Sequence, residues 1–177
     1  MTNSECVMRV ALFQGPKKIN VETVPRPELD EGEILLRIRA CGICGSDLHA
    51  YERGMFEEMG IPVENGRVMG HEFAGEVAEI KGEVPGLKIG DRVCTTAIGG
   101  NAEYLKIPVA TVPMVLPIHD GISFEEAATI EPLATSLHAV NLADPQKGEI
   151  HVIIGAGIIG LGILQVLKAA AFVRTIV

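Results

Sequence analysis

A glycine-rich loop near the end of the chain lies between an apolar run and a predicted helix. Residues 155–160, Gly-Ala-Gly-Ile-Ile-Gly, fit G-x-G-x-x-G. The mainly β-branched run before them, residues 150–154, predicts a buried strand. In such a loop the glycines permit a tight turn, backbone approach by a pyrophosphate and close helix packing. The loop therefore predicts a dinucleotide site at the start of the helix, where unpaired N–H groups face the phosphates. The predicted contact residues are Gly155, Gly157, Ile158, Ile159 and Gly160. The alternative is a glycine turn that binds nothing.

The segment after the loop completes a strand-helix-strand unit. Residues 161–171 are rich in Ala and Leu and predict a helix, and residues 173–177 form a second apolar run. An acidic residue that holds the ribose would follow the loop by about 20 residues. That position falls at or beyond Val177, so the sequence leaves NAD and NADP equally open.

Side chains able to bind a metal ion are widely separated in the sequence. Cys41 and Cys44 form a C-x-x-C pair, His71 and Glu72 are adjacent, and Glu131 comes much later. The cysteines are equally compatible with a redox pair or with two core thiols. A lone histidine such as His71 is more often a hydrogen-bonded core residue than a ligand. Spacing alone therefore does not predict a metal site.

The composition excludes several classes of protein. The chain has 177 residues, 47% of them apolar, which is enough for one core or two small ones. The net charge of −8 argues against nucleic acid or an anionic membrane as a partner. No apolar run is as long as a membrane helix, and residues 1–10 lack a secretory pattern. Four cysteines in such a chain predict reduced thiols in the cytoplasm.

Short strands dominate the first part of the sequence. The predicted strands are residues 6–13, 18–24, 33–40, 68–80, 93–96 and 102–107. Residues 33–40 alternate, with Ile34, Leu36 and Ile38 on one face, as a half-buried strand does. A capping box, Ser123-x-x-Glu126, opens a helix, and a second helix is predicted for residues 132–143. We therefore predict a β-rich domain over residues 1–140 and the start of a parallel α/β domain over residues 141–177.

Several short motifs occur along the chain in a characteristic order. They are CGICGSDLH (41–49), GHE (70–72), GDRV (90–93), AEY (102–104), IEPL (130–133) and the glycine loop (155–160). In these motifs the chain resembles the medium-chain zinc-dependent alcohol dehydrogenases, and within them the polyol, butanediol and threonine dehydrogenase branch. The resemblance implies a GroES-like catalytic domain followed by the first βαβ unit of a Rossmann domain.

The resemblance also implies one catalytic zinc ion. Its ligands would be the Cys44 thiolate and the His71 imidazole, with Glu72 either a ligand or a movable neighbour. Glu131 would bind directly or through water. Sulfur, imidazole and carboxylate together suit zinc. Asp47 would either orient a ligand or cap the helix that follows.

The implied activity is hydride transfer from a secondary alcohol or polyol to NAD or NADP. Ser46 would accept the alcohol proton first, and His49 would pass it to solvent. Thr135 is either a nicotinamide contact or an ordinary hydroxyl on a helix face. Tyr51 and Phe56 would line the substrate pocket, whose specificity the sequence does not define.

Two features depart from the pattern of this family. Residues 91–101 connect two strands directly, where many relatives carry a lobe with four cysteines and a structural zinc. We therefore expect no structural zinc. A dinucleotide domain needs two halves, and only one βαβ unit is present. We therefore expect an N-terminal portion that holds zinc but does not turn over, and whose exposed apolar faces favour homo-oligomers.

Two other readings remain open on sequence grounds. A zinc-free quinone or enoyl reductase of the same superfamily would usually lack the Cys44 and His71 ligands, and both are present here. A non-catalytic binding module that keeps the fold would need neither the metal nor the cofactor. Metal content distinguishes the leading hypothesis from these alternatives.

Overall fold

A computed structural model describes residues 7–54, 60, 63, 66–170 and 175–176 of the chain. Contacts divide the chain into two compact units, Met1–Ala128 and Thr129–Val177. The first unit consists mainly of β-strands, as the sequence predicted. Among the helices that the structure describes, none has the length and apolarity needed to cross a membrane.

The strands of the first unit form two antiparallel sheets. Their bounds are β1 Val7–Phe13, β2 Ile19–Pro25, β3 Ile34–Cys41, β4 Arg67–Val68, β5 Phe73–Ile80, β6 Arg92–Thr95, β7 Tyr104–Ile107 and β8 Leu116–Pro117. One sheet has the order β2-β1-β4 and the other has the order β7-β3-β5-β6-β8. The predicted strands are confirmed to within two residues at each end, except that the predicted strand 68–80 is interrupted between β4 and β5.

The core of the first unit lies on the five-stranded sheet. Its buried side chains are Ile34, Leu36, Phe73, Val77, Val84, Val93, Ile107 and Val115. The alternation of residues 33–40 predicted a strand with one buried face, but Leu35 on the opposite face is only 1% exposed. β3 is an interior strand, paired with β5 and β7, and the burial of Ile34, Leu35 and Leu36 shows that both of its faces are covered where it begins.

Three short helical segments complete the first unit. Helix α1 comprises Gly45–Arg53, a 3-10 turn comprises Val112–Met114, and α2 comprises Phe124–Ala128. The capping box before α2 is confirmed. The Ser123 hydroxyl accepts the Glu126 N–H at 3.1 Å, and the Ser123 N–H donates to Glu126 Oε2 at 2.8 Å.

The second unit is a small α/β arrangement. Its elements are α3 Ile130–Ala143, β9 His151–Val152, α4 Ile158–Ala169 and β10 Thr175–Ile176. Strands β9 and β10 pair in parallel, with α4 between them in the chain. Val140, Ile153 and Leu167 form the core. That this unit begins a Rossmann domain remains a prediction.

The second unit differs from the sequence expectation in several places. Only His151–Val152 of the predicted buried strand 150–154 is a strand, and Ile150, Val152 and Ile154 are exposed because β9 has a short parallel partner and little cover. Helix α4 begins at Ile158 rather than at residue 161. Gly160 and Gly162 weaken the helical pattern in the sequence, but glycine lowers helix propensity without preventing a helix. The compact units meet at Ala128 and Thr129, whereas the predicted domain boundary lay near residue 140. Helix α3 packs along α4, and it therefore belongs wholly to the second unit.

Candidate metal centre

The end of the β3–β5 ladder brings two of the candidate ligands near each other. Cys41 pairs with Phe73 in the antiparallel register, and the next position places Gly42 opposite Glu72. The Gly42 N–H donates to the backbone oxygen of Glu72 at 2.7 Å. Opposed positions in an antiparallel pair are close neighbours. Cys44 follows Gly42 by two residues, so Cys44 and Glu72 lie at the same end of the sheet.

Helix α1 fixes the backbone at Cys44. Cys44 is its N-cap residue, and the Cys44 N–H donates to Asp47 Oδ2 at 3.0 Å. Asp47 is only 7% exposed, and its other oxygen, Oδ1, lies 4.0 Å from His71 Nδ1. The capping role foreseen for Asp47 is thus confirmed. The same carboxylate also lies near the imidazole that it was expected to orient.

The loop that carries His71 is held by the short connection between β6 and β7. The N–H groups of Gly99 and Gly100 both donate to the backbone oxygen of Gly70 at 2.9 Å. Gly70 has φ +86, and a Cβ there would crowd Asn101 Oδ1 at 2.7 Å and Cys41 Sγ at 2.8 Å. Glycine is therefore required at this position, in the connection between β4 and β5 that carries His71.

Cys44, His71 and Glu72 form a cluster with the donor types that zinc prefers. One ligand atom from each lies within 4.8 Å of the others. Ligand atoms around a tetrahedral zinc are separated by roughly 3.3–3.8 Å, so small side-chain adjustments would close the set. Glu72 is 9% exposed and the His71 side chain 25% exposed. A cation would offset the cost of burying the Glu72 and Asp47 carboxylates, so these residues fit a zinc ion.

The other described cysteines lie in different environments. Burial, with the nearby Asp47 and Glu72 carboxylates adding to it, raises the pKa of the Cys41 thiol to about 11. Burial also raises the pKa of Cys94. Both shifts favour the neutral thiol, whereas a metal ligand must be a thiolate. These environments agree with packed thiols at both positions, and Cys6 lies outside the described residues.

The predicted proton-transfer residues lie on α1 beside the cluster. Ser46 is half-buried and His49 is exposed. They are separated by three positions and therefore share a face of the helix. Tyr51 lies in the same helix, and its backbone oxygen accepts the Lys17 N–H at 2.6 Å. Phe56 lies outside the described residues.

The glycine loop of the second unit has the backbone features its motif predicts. Gly155 has φ +107, which favours glycine. Gly157 is the N-cap residue of α4, and a Cβ there would meet nothing within 4 Å. A Cβ on Gly160 would overlap the Gly155 carbonyl and contact Ile153 Cγ2 at 3.4 Å. Ile158, Ile159 and Gly160 form the first turn of the helix, where N–H groups lack intrahelical acceptors.

Two further candidates lie on α3 in the second unit. Glu131 is in the first turn of the helix. Thr135 is exposed, and its hydroxyl donates to the Glu131 backbone oxygen at 3.4 Å. This contact is the ordinary helix-face role foreseen as the alternative for Thr135. The ligand role of Glu131 and the nicotinamide contact of Thr135 remain predictions.

Comparison with known proteins places the chain in a family. The family described as "Alcohol dehydrogenase GroES-like domain" matches residues 30–120. The (R,R)-butanediol dehydrogenase of Bacillus subtilis is 31% identical over 92% of this chain and 55% of its own. The sorbitol dehydrogenase of Bacillus subtilis is 34% identical over 92% of this chain and 53% of its own.

Solved structures show the same relationship. The 2R,3R-butanediol dehydrogenase of Bacillus subtilis superposes with a TM-score of 0.81, covering 92% of this chain and 55% of its own. A protein from Sinorhizobium meliloti 1021, provisionally described as a zinc-binding dehydrogenase and solved with NADP, gives 0.80 at 26% identity. It covers 96% of this chain and 55% of its own.

The chain belongs to the alcohol dehydrogenase GroES-like domain family. This membership confirms the predicted resemblance and the GroES-like assignment of the β-rich unit. The chain spans about half the length of the curated relatives it matches, with coverage of 55% and 53% for the two dehydrogenases above.

Proposed function

We propose that these residues form the catalytic-domain portion of a zinc-dependent dehydrogenase that transfers a hydride from a secondary alcohol or polyol to NAD or NADP. The observation that carries the proposal is the clustering of Cys44, His71 and Glu72 within 4.8 Å. A zinc-free reductase has no need of a thiol, an imidazole and a buried carboxylate at one sheet end. Relatives named for diol and polyol substrates support the substrate class.

In the proposed site, Cys44, His71 and Glu72 hold one zinc ion, with Glu131 as a further ligand, directly or through water. Zinc in such a site supplies Lewis acidity toward an alcohol oxygen in its open position. Asp47 fixes the backbone at Cys44 and places a negative charge beside His71. The connection between β6 and β7 contains no cysteine, and Cys94 in β6 could not form a structural zinc site alone, so we propose one zinc per chain.

The proton of the alcohol leaves along α1. Ser46 is half-buried beside Cys44 and accepts the proton through its hydroxyl. His49 lies one helical turn further on and is exposed, so it can transfer the proton to water. The hydride acceptor binds at the glycine loop, where Gly157 leaves room for the pyrophosphate and Thr135 contacts the nicotinamide.

We further propose that these 177 residues bind the metal but do not oxidise alcohols by themselves. A dinucleotide fold needs two mononucleotide halves, and the described residues of the second unit form one strand-helix-strand arrangement. Several apolar side chains of that unit are exposed, among them Leu142, Val152 and Ile154. Such surfaces favour self-association, so we propose that the chain forms homo-oligomers. The cytoplasm is the proposed location.

Cobalt(II) in place of zinc provides the test, because its visible absorption depends on its ligands. The chain is loaded with Co²⁺ and titrated with 2,3-butanediol, with Cys44→Ala as the control. We expect a cobalt–thiolate spectrum that changes as the diol enters the open position, and no such spectrum in the variant. Formation of NADH or NADPH is followed in parallel samples that also contain NAD⁺ or NADP⁺.

The possible results separate the competing functions. A chain that holds no cobalt would favour the zinc-free reductase. A cobalt spectrum that ignores the diol would favour a metal-binding module without alcohol chemistry. Formation of NADH or NADPH by the chain alone would support the dehydrogenase but contradict its proposed inactivity.

A further inference from the structure

The Glu72 carboxylate occupies the space that a side chain at position 42 would fill. A Cβ on Gly42 would overlap Glu72 Oε2, and would lie 3.2 Å from Glu72 Cβ and 3.5 Å from Glu72 Cδ. The backbones are fixed at the same point, because the Gly42 N–H donates to the Glu72 backbone oxygen at 2.7 Å. The strand therefore cannot shift to accommodate a side chain without losing this hydrogen bond.

The need for glycine at position 42 is one of space and not of backbone conformation. Gly42 is absent from the glycines with positive φ, so alanine could adopt its backbone angles. Glu72 is buried, and the carboxylate is the end of its side chain that the new methyl group would displace. The expected result of Gly42→Ala is thus a rotated Glu72 side chain on an otherwise unchanged ladder.

We infer that Gly42 is a positioning residue for the metal centre, because its missing side chain forms the space that holds the Glu72 carboxylate beside Cys44 and His71. This inference rests on the proposed metal site. It assigns a role to Gly42, the second residue of the C-x-x-C segment. Gly42 has no role in the proposed zinc binding or proton transfer themselves. Gly42 acts through Glu72 and touches neither substrate nor cofactor.

Gly45 provides a matched control in the same motif. It also lacks a positive φ, and a Cβ there would meet nothing within 4 Å. Gly45 is exposed at the first position of α1, where alanine is a better helix former. Gly45→Ala therefore tests the same chemical change without the contact to Glu72.

The experiment measures metal affinity, the cobalt spectrum and the thermal stability of the metal-free chain. The variants are Gly42→Ala, Gly45→Ala, Glu72→Ala and the double variant of Gly42 and Glu72. We expect Gly42→Ala to weaken zinc binding about tenfold or more and to change the cobalt spectrum, as misplacing a metal-site group does. Gly45→Ala should match wild type in metal affinity and cobalt spectrum, and its metal-free chain should be at least as stable as wild type. In the Glu72→Ala background, Gly42→Ala should have no further effect on affinity.

Each result supports or overturns the inference. If Gly42→Ala alone fails to fold but folds with Glu72→Ala, the clash with the carboxylate is supported. If it fails in both backgrounds, or weakens metal binding equally in both, Gly42 serves the fold and the inference is overturned. Wild-type affinity and spectrum in Gly42→Ala would overturn the inference alone. Failure of the wild-type chain to bind zinc or cobalt would overturn the proposed metal site together with it.

Discussion

Replacing Asp47 separates two roles that its carboxylate combines. Oδ2 accepts the Cys44 N–H at 3.0 Å, and Oδ1 lies 4.0 Å from His71 Nδ1. Asp47→Asn keeps an oxygen that can accept the Cys44 N–H but removes the negative charge next to His71. Asp47→Ala removes both the acceptor and the charge. The two variants should therefore differ in stability, and both should bind the metal more weakly than wild type.

The expected magnitudes follow from these contacts. Loss of the cap in Asp47→Ala should lower the free energy of unfolding by about 1 kcal/mol, whereas Asp47→Asn should lower it much less. Loss of the charge behind a histidine ligand typically costs about 10–100-fold in metal affinity. That range corresponds to roughly 1.4–2.8 kcal/mol of binding free energy, and we expect it for both variants.

Urea denaturation of the metal-free chain measures the first quantity, and competition with a chromogenic chelator for Zn²⁺ measures the second. Gly45→Ala, on the same helix, serves as the control for metal affinity. Wild-type zinc affinity in Asp47→Asn would show that Asp47 is only a helix cap, and the argument about His71 would then fail.

Other consequences can be tested on the same chain. In the metal-free protein at pH 8, Cys41 should react with iodoacetamide about a hundredfold more slowly than an ordinary thiol, because its pKa of about 11 leaves little thiolate. Equal rates of Cys41 alkylation in the folded and the urea-unfolded chain would contradict this expectation. The Arg9 backbone N–H and guanidinium lower the pKa of Glu103 below 4.5. The stability that this carboxylate adds is therefore present above pH 4.5 and lost as the pH falls through its folded-state value. Because the pair is exposed, Glu103→Gln should cost about 0.5 kcal/mol at pH 7 and nothing near pH 2, and a pH-independent cost in urea denaturation would refute the assignment. Ile154 is 98% exposed, so sedimentation velocity should show concentration-dependent association that Ile154→Glu reduces; a monomeric wild type at every concentration would contradict the proposed homo-oligomer.

Local sequence patterns predicted most of the first unit. Alternation and turn residues placed its strands, and the S-x-x-E pattern placed the start of α2 through contacts between residues three positions apart. The burial of Leu35 was missed because alternation cannot show that a strand has neighbours on both sides and cover on both faces. The early start of α4 was missed because Gly160 and Gly162 weaken the helical signal while close packing favours the helix.

The candidate site required more than local pattern. Motif order identified Cys44, His71 and Glu72, but their proximity depends on the register between β3 and β5, which the sequence does not show. The sequence offered helix capping and ligand orientation as alternative roles for Asp47 and did not show that one carboxylate combines both. The cap is a contact between residues three positions apart, whereas His71 is distant in sequence. Gly42 gave no signal of its own, since only the folded ladder places it opposite Glu72.

The central claim is that Cys44, His71 and Glu72 hold a single zinc ion. Its most direct test is the zinc content of the purified chain by elemental analysis, with Cys44→Ala measured in parallel and chelators avoided throughout. We predict about one zinc per chain in wild type and loss of that zinc in the variant. No zinc in wild type, or full retention in Cys44→Ala, would contradict the proposed site, and two zinc ions per chain would contradict the proposal of a single catalytic metal.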